Sequence, residues 1–183
     1  RDPAKAAMAL GQLPVEFRVG DVRDATALRS SLSGCGAVVH LAAIAIEKKT
    51  EKYVETNTAA TERLISASRA EGVSRVIFMS QNGADSKSPY PFLHSKGVAQ
   101  DSIKTSGLRW TVLRPSVIFG PEDQFVNVLA RLIRLTPKIF PLPGGGRARF
   151  QPIAVDDVAK VIRLSLEKKE SLHQSFDLGG AVP

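Results

Sequence analysis

Ala37-Val-Val-His-Leu41, Arg75-Val-Ile-Phe-Met79 and Trp110-Thr-Val-Leu-Arg114 are apolar runs of strand length, and what separates them decides the fold. Roughly Glu51 to Ala70 and Leu93 to Ser106 carry helical periodicity instead. In the first of these, Ala60, Leu64, Ala67 and Ser68 recur on one face, while Glu55, Glu62 and Arg63 mark a solvated face. Glu71-Gly72 then supplies a stop. Upstream, Val15-Glu-Phe-Arg-Val19 alternates with period two and ends at Gly20-Asp21, before a helix from about Ala25 to Leu32. Strands alternating with helices through short connections predict an α/β fold, a parallel sheet covered by helices on both faces.

After Gly120 the character changes. Phe125 to Leu135 reads as an amphipathic helix carrying Arg131 and Arg134, and Pro137, Pro141, Pro143 and Gly144-Gly-Gly146 as an irregular loop. Phe150-Gln-Pro-Ile153 and Ser175-Phe-Asp-Leu178 read as short strands on either side of a helix from Val155 to about Glu167. Asp156 or Asp157 near its start suits the helix dipole.

The 183 residues suffice for one domain with a substantial core, and 43% hydrophobic with 23% charged residues is an ordinary globular balance. No apolar run reaches the roughly 20 residues of a membrane span, and no basic-then-apolar signal segment opens the sequence. Cys35 stands alone, which excludes a disulfide framework within the sequence and favours a reducing, cytoplasmic setting; a small packed residue is its expected role. The net charge of +7 attracts phosphates, in a dinucleotide or on an anionic membrane surface. Aromatics are only 6% and no basic helix or stacking platform stands out, so no nucleic-acid partner is expected. No metal-ligating cluster is expected.

From Val19 to Gly180, five segments follow one another in a telling order: Gly20-Asp21-Val22, His40-Leu-Ala-Ala43, Met79-Ser-Gln-Asn82-Gly-Ala84, Tyr90-Pro-Phe-Leu-His-Ser-Lys96-Gly97 and Leu113-Arg-Pro-Ser-Val-Ile-Phe-Gly-Pro121. Together they resemble an extended or atypical member of the short-chain dehydrogenase/reductase superfamily, of the NAD-dependent epimerase/dehydratase kind. Within it the sequence is similar to the nucleotide-binding accessory subunit of respiratory complex I and its bacterial relatives. The resemblance implies a Rossmann-type doubly wound sheet with strand order 3-2-1-4-5-6 and a bound dinucleotide. By that pattern residues 1–183 form one NAD(P)-binding domain, with 121–153 as a substrate-side insertion. The early strands and the glycine-rich turn are expected upstream, since the only early glycine is Gly11, and both ends read as cut.

The resemblance also assigns residues. Asp21 accepts from the adenine amine with Val22 beside the ring, the alternative for Asp21 being a solvated turn residue. Leu41, Ala42 and Ala43 pass under the adenosine and ribose. His40 is expected as a packed core residue, and Asn57 as a structural bridge. Ser80 closes the strand that carries the superfamily's catalytic hydroxyl, but the extended members' hydroxyl position falls on Asn82. Pro115 rigidifies the loop beside the nicotinamide, with Ser116 and Val117 at the carboxamide. Arg147 or Arg149 is expected to bind an anion on the substrate side, or to be solvated.

The departure that matters most is at Phe92. The superfamily places a Tyr four residues before the active-site Lys, just over one helical turn away on the same face, so that the cation lowers the phenol's pKa. Lys96 is present, but the position four before it holds a phenyl ring with no proton to give. Tyr90 lies about 240° from Lys96 around an ideal helix, against about 40° for Phe92, and His94 lies on the opposite face. Lys96 is then expected either at the ribose hydroxyls or as a surface charge. These features imply an NAD(P)-binding protein with a structural or regulatory dinucleotide, associated with a respiratory complex and peripheral at the inner membrane in its sharpest form. The alternative is an active oxidoreductase or epimerase using Asn82 and Lys96. NADP is favoured over NAD only by Arg1, which falls where a cation suits a 2′-phosphate.

Overall fold

The computed structural model describes residue 8 and residues 10–123, 125–135 and 150–180. Its centre is a four-stranded parallel sheet of β1 (Ala37–His40), β2 (Arg75–Met79), β3 (Arg109–Pro115) and β6 (Gln174–Leu178), in the order β1-β2-β3-β6. The register runs Val38 to Val76, Phe78 to Val112 and Leu113 to Phe176. Helices α1 (Ala25–Leu32), α2 (Ala60–Ala70), α3 (Pro91–Lys104), α4 (Val126–Leu135) and α5 (Val155–Glu167) connect and cover it, and a π-helical turn (Val54–Ala59) leads into α2. A two-residue strand β4 (Ile118–Phe119) pairs in parallel with β5 (Ile153–Ala154).

Both faces of the central strands are buried, which is why β2 reads as an unbroken apolar run. Val76 and Phe78 point one way, into a core with Ile65 of α2, Ala99 and Ile103 of α3, and Val112 of β3. Leu28 and Leu32 of α1 pack beside it on Leu64, Ala67 and Val73, with Cys35 half-buried at the edge. On the other face Arg75 is 7% exposed and reaches across to α5. Its guanidinium donates to the Thr111 hydroxyl at 2.6 Å, the Ser165 carbonyl at 2.7 Å and the Ser171 hydroxyl at 2.9 Å. Burial, and next the nearby Arg109, lowers its pKa from the usual arginine value. Hydrogen bonds rather than a carboxylate compensate this buried cation, pinning α5 to the sheet. The doubly wound arrangement is therefore the one the alternation of runs predicts.

Three expectations are corrected. Val15–Val19 joins no ladder: among the described residues no strand lies beside it, and Val15, Phe17 and Val19 are 46%, 42% and 79% exposed. Period-two alternation fits a strand, but a strand needs a partner, and β1 pairs only with β2. The strand placed at Phe150 begins at Ile153, because Pro152 has no N–H for a ladder. Arg63 is half-buried rather than solvated and pairs with Glu55 at 3.3 Å.

Candidate functional site

The carboxyl ends of the parallel strands converge on one edge of the sheet, where ligands of open α/β folds dock. Three hollows lie along that edge. The first, about 400 Å³, brings Gly20, Asp21, Val22, Ala42, Ala43 and Thr56 together. Asp21 is already engaged there: Arg23 holds both its carboxylate oxygens, at 2.9 and 2.8 Å, and the Arg23 backbone N–H donates to it at 2.8 Å. Leu41 is 58% exposed just past the strand and lies outside this hollow.

Behind the edge sits a buried polar network. Asn57 is 2% exposed; its amide donates to the Ile44 carbonyl at 3.1 Å and the Ser95 hydroxyl at 3.1 Å, and its oxygen accepts from the Ile44 N–H at 2.9 Å. It therefore ties the loop after β1 to α3, the bridging role expected of it. The π-helical turn sets this geometry by inserting an extra residue ahead of α2. His40, 3% exposed, lies 3.1 Å from the Thr61 hydroxyl, which donates to the Asn57 carbonyl at 2.7 Å. With its own proton given to Asn57, Thr61 is placed to accept from the Nε2–H of His40. Burial, and secondarily the charge of Lys96, lowers the histidine's pKa to about 4. His40 is the packed residue expected of it.

Lys96 is not a surface charge. It is 5% exposed, and its amine donates to the Met79 carbonyl at 2.6 Å and lies 4.7 Å from the centre of the Phe78 ring. Burial lowers its pKa to about 8. The next residue, Gly97, explains how α3 comes so close: a Cβ there would stand 2.1 Å from the Asp85 carbonyl carbon and 2.2 Å from the Ser86 nitrogen. Only glycine lets the helix pass this backbone. Ser80, beside Met79, is 3% exposed, and its hydroxyl has no hydrogen-bond partner among the described residues.

Phe92, one turn ahead of Lys96, faces a cleft of about 960 Å³ whose walls include Ile46, Gln81, Ser116, Val117 and Phe125. Its ring rests on Tyr53, with centroids 5.8 Å apart. Asn82 does not face this cleft. It lines a separate polar hollow of about 420 Å³ with Gln151 and Asp177, and Ser116 is shared by both. The amide residue that lines the Phe92 cleft is Gln81, for which the sequence gives no signal. Pro115 is buried under this loop, and Asn82 donates its backbone N–H to the Pro115 carbonyl at 2.9 Å. Arg1, Arg147 and Arg149 lie outside the described residues.

The NAD(P)H-binding family profile matches residues 1–169. The chain belongs to the NAD(P)H-binding family. Similar curated proteins include NADH dehydrogenase (ubiquinone) 1 alpha subcomplex subunit 9, mitochondrial, of Arabidopsis thaliana, 29% identical over 93% of this chain and 42% of that protein. Another is the N-acetyl-alpha-D-glucosaminyl-diphospho-ditrans,octacis-undecaprenol 4-epimerase of Escherichia coli O157:H7, 28% identical over 90% of this chain and 55% of that protein. A dTDP-glucose 4,6-dehydratase (DesIV double mutant) from Streptomyces venezuelae, solved with NAD and DAU bound, superposes with a TM-score of 0.80 over 97% of this chain and 63% of its own, at 24% identity. The chain spans less than half the length of the mitochondrial relative.

The residues present are compatible in chemistry with a nicotinamide dinucleotide: a hollow carrying one carboxylate and small walls suits adenosine, and the buried Ser80 hydroxyl, unpartnered among the described residues, is the kind of polar group a ligand satisfies. Among the described residues no metal-binding cluster occurs, and no helix is long and apolar enough to cross a membrane.

Proposed function

We propose that this protein retains NADPH, or NADH, as a structural or regulatory dinucleotide rather than turning it over. The observation that carries this is the pairing of Phe92 with Lys96. The lysine is buried and bonded to Met79, and the side chain on its face that opens into the cleft has no proton to exchange. Asp21 and Val22 receive the adenine, Ala42 and Ala43 with Leu41 the ribose side, Ser80 and Lys96 the nicotinamide ribose, and Ser116 and Val117 on Pro115 the carboxamide. For Arg147 and Arg149 this reading takes the other role their sequence context allows, solvated residues of a surface loop. NADP is preferred to NAD on the sequence position of Arg1. The mitochondrial relatives' names support association with a respiratory complex, and a peripheral position at the inner membrane is proposed with it.

A dinucleotide bound beside these residues supplies hydride chemistry, and the chain's own residues decide whether it is used. A positioned acid or base contributes about 10²–10⁴ in rate, so the protein should bind NADPH yet not oxidise it when offered a panel of ketones and aldehydes. Fluorescence of bound NADPH reports both properties. Phe92→Tyr should restore at most weak activity, because Asn82 lies in a different hollow from the ring. Multiple turnovers by the unmodified protein, abolished by Lys96→Ala, would establish the rival reading of an active oxidoreductase or epimerase.

A further inference from the structure

The cleft in front of Phe92 is larger than a nicotinamide ring requires, and its composition is selective. At about 960 Å³ it sits at the upper end of small-molecule pockets, roughly 300–1,000 Å³. Beyond Ser116 and Val117 its walls are Ile46, Phe119, Phe125 and Val155, which are 76%, 39%, 42% and 43% exposed. Phe125 continues onto Phe150, with ring centroids 5.7 Å apart. A contiguous apolar surface of this kind marks a contact site.

Charge narrows the ligand further. The chain carries 25 Lys and Arg against 18 Asp and Glu. Among the described residues, however, the cleft holds two carboxylates, Glu122 and Asp123, and no cation. Asp123 is locked in place by accepting from the Phe125, Val126 and Asn127 N–H groups at the start of α4. A diphosphate entering this rim meets like charge, and among the described lining residues no paired donors receive it. Two neutral groups, the Gln81 carboxamide and the Ser116 hydroxyl, remain to hold a ligand oxygen.

We propose that this cleft binds an uncharged, largely apolar molecule bearing a carbonyl or hydroxyl oxygen, and rejects anionic sugar nucleotides. The oxygen is held by Gln81 and Ser116, and the apolar body lies against Phe119, Phe125 and Val155. The proposal rests on the dinucleotide reading only in placing the nicotinamide at Ser116 and Val117.

The test titrates the full-length protein with Nile red, an uncharged dye, and competes it with 2-undecanone or with UDP-glucuronic acid. The double variant Ile46→Glu/Phe125→Glu charges two exposed walls and leaves Ser116 and Val117 untouched. The ketone should displace the dye, and the double variant should bind the ketone about tenfold more weakly or worse, since a charge must then be desolvated. The sugar nucleotide should displace nothing. Displacement by UDP-glucuronic acid, an unchanged ketone affinity in the double variant, or no ketone binding because another part of the full chain fills the cleft would each overturn the proposal. NADPH fluorescence and thermal unfolding are followed in the same samples. Loss of dinucleotide binding with the ketone retained counts against the dinucleotide reading alone, and an unchanged melting profile shows that the variant is folded.

Discussion

At the scale of single residues, the site is a set of side chains whose environments differ more than their sequence contexts suggest. Asp21 is half-buried and its pairing with Arg23 is partly exposed and of small worth, so replacing it is expected to leave the fold intact. If it also accepts from adenine, Asp21→Ala should weaken NADPH binding by about 1–2 kcal/mol, roughly five- to thirtyfold, with an unchanged urea midpoint. An unaltered dissociation constant in calorimetry would make it a turn residue only. His40 gives a pH prediction. Its folded pKa of about 4 lies below the ordinary 6.5, so the folded state favours the neutral ring. That contribution, at most about 3 kcal/mol, is complete above pH 6.5 and lost as pH falls through about 4. His40→Gln should therefore flatten the acid side of a stability–pH profile from urea unfolding, and an identical acid slope would assign the loss to carboxylates instead. The roles of His40 and Asn57 were legible because a lone histidine or amide in an apolar setting has few other fates. The partition of Gln81 and Asn82 between two hollows was not. Adjacent residues leaving a strand face different sides, and spacing alone does not say which side holds the ligand.

At the scale of elements, α3 is the part that must be placed accurately, because it carries both Phe92 and Lys96. Two contacts place it. Asn57 bonds Ser95 from one side, and the Asp85–Ser86 backbone crosses at Gly97 on the other. The Asp85 and Ser86 atoms a Cβ would meet are main chain and cannot rotate away, so Gly97→Ala must displace the helix or the loop. It should cost about 3 kcal/mol or more in urea unfolding. It should also weaken NADPH binding beyond what that loss explains, because Lys96 moves with the helix. A normal midpoint together with normal affinity would show that the crossing is soft. The helix itself was legible from its periodicity, with ends shifted by two residues, whereas the close crossing was not, because a glycine after a lysine carries no signal of what lies above it. Arg75 shows the same limit. A charge opening an apolar run reads as a strand boundary, and only the three-dimensional structure shows the hydroxyls and carbonyls that receive it.

At the scale of the whole molecule, the sheet has two open edges: β1 pairs with β2 alone and β6 with β3 alone, and among the described residues nothing pairs with the outer edge of either. Nearby in sequence, Val15, Phe17 and Val19 alternate as a strand would, yet remain exposed and unladdered. The alternation rule reads which face of a strand is apolar; it cannot supply the neighbour that completes the hydrogen bonds. An open edge of this type templates pairing with another chain, and natural proteins blunt such edges with charge. A polypeptide limited to these 183 residues should therefore self-associate with rising concentration, and its NADPH affinity should be lower than that of a longer polypeptide in which β1 is paired. Val39→Lys, on the half-buried outer strand, should suppress the association at a cost of about 1 kcal/mol, because the lysine stem can lie along the sheet while its amine reaches water. Multi-angle light scattering across a concentration series separates the cases. A monomer at every concentration, with nucleotide affinity equal to that of the longer polypeptide, would mean that the β1 edge is already protected and that residues 15–19 are a loop with an accidental pattern.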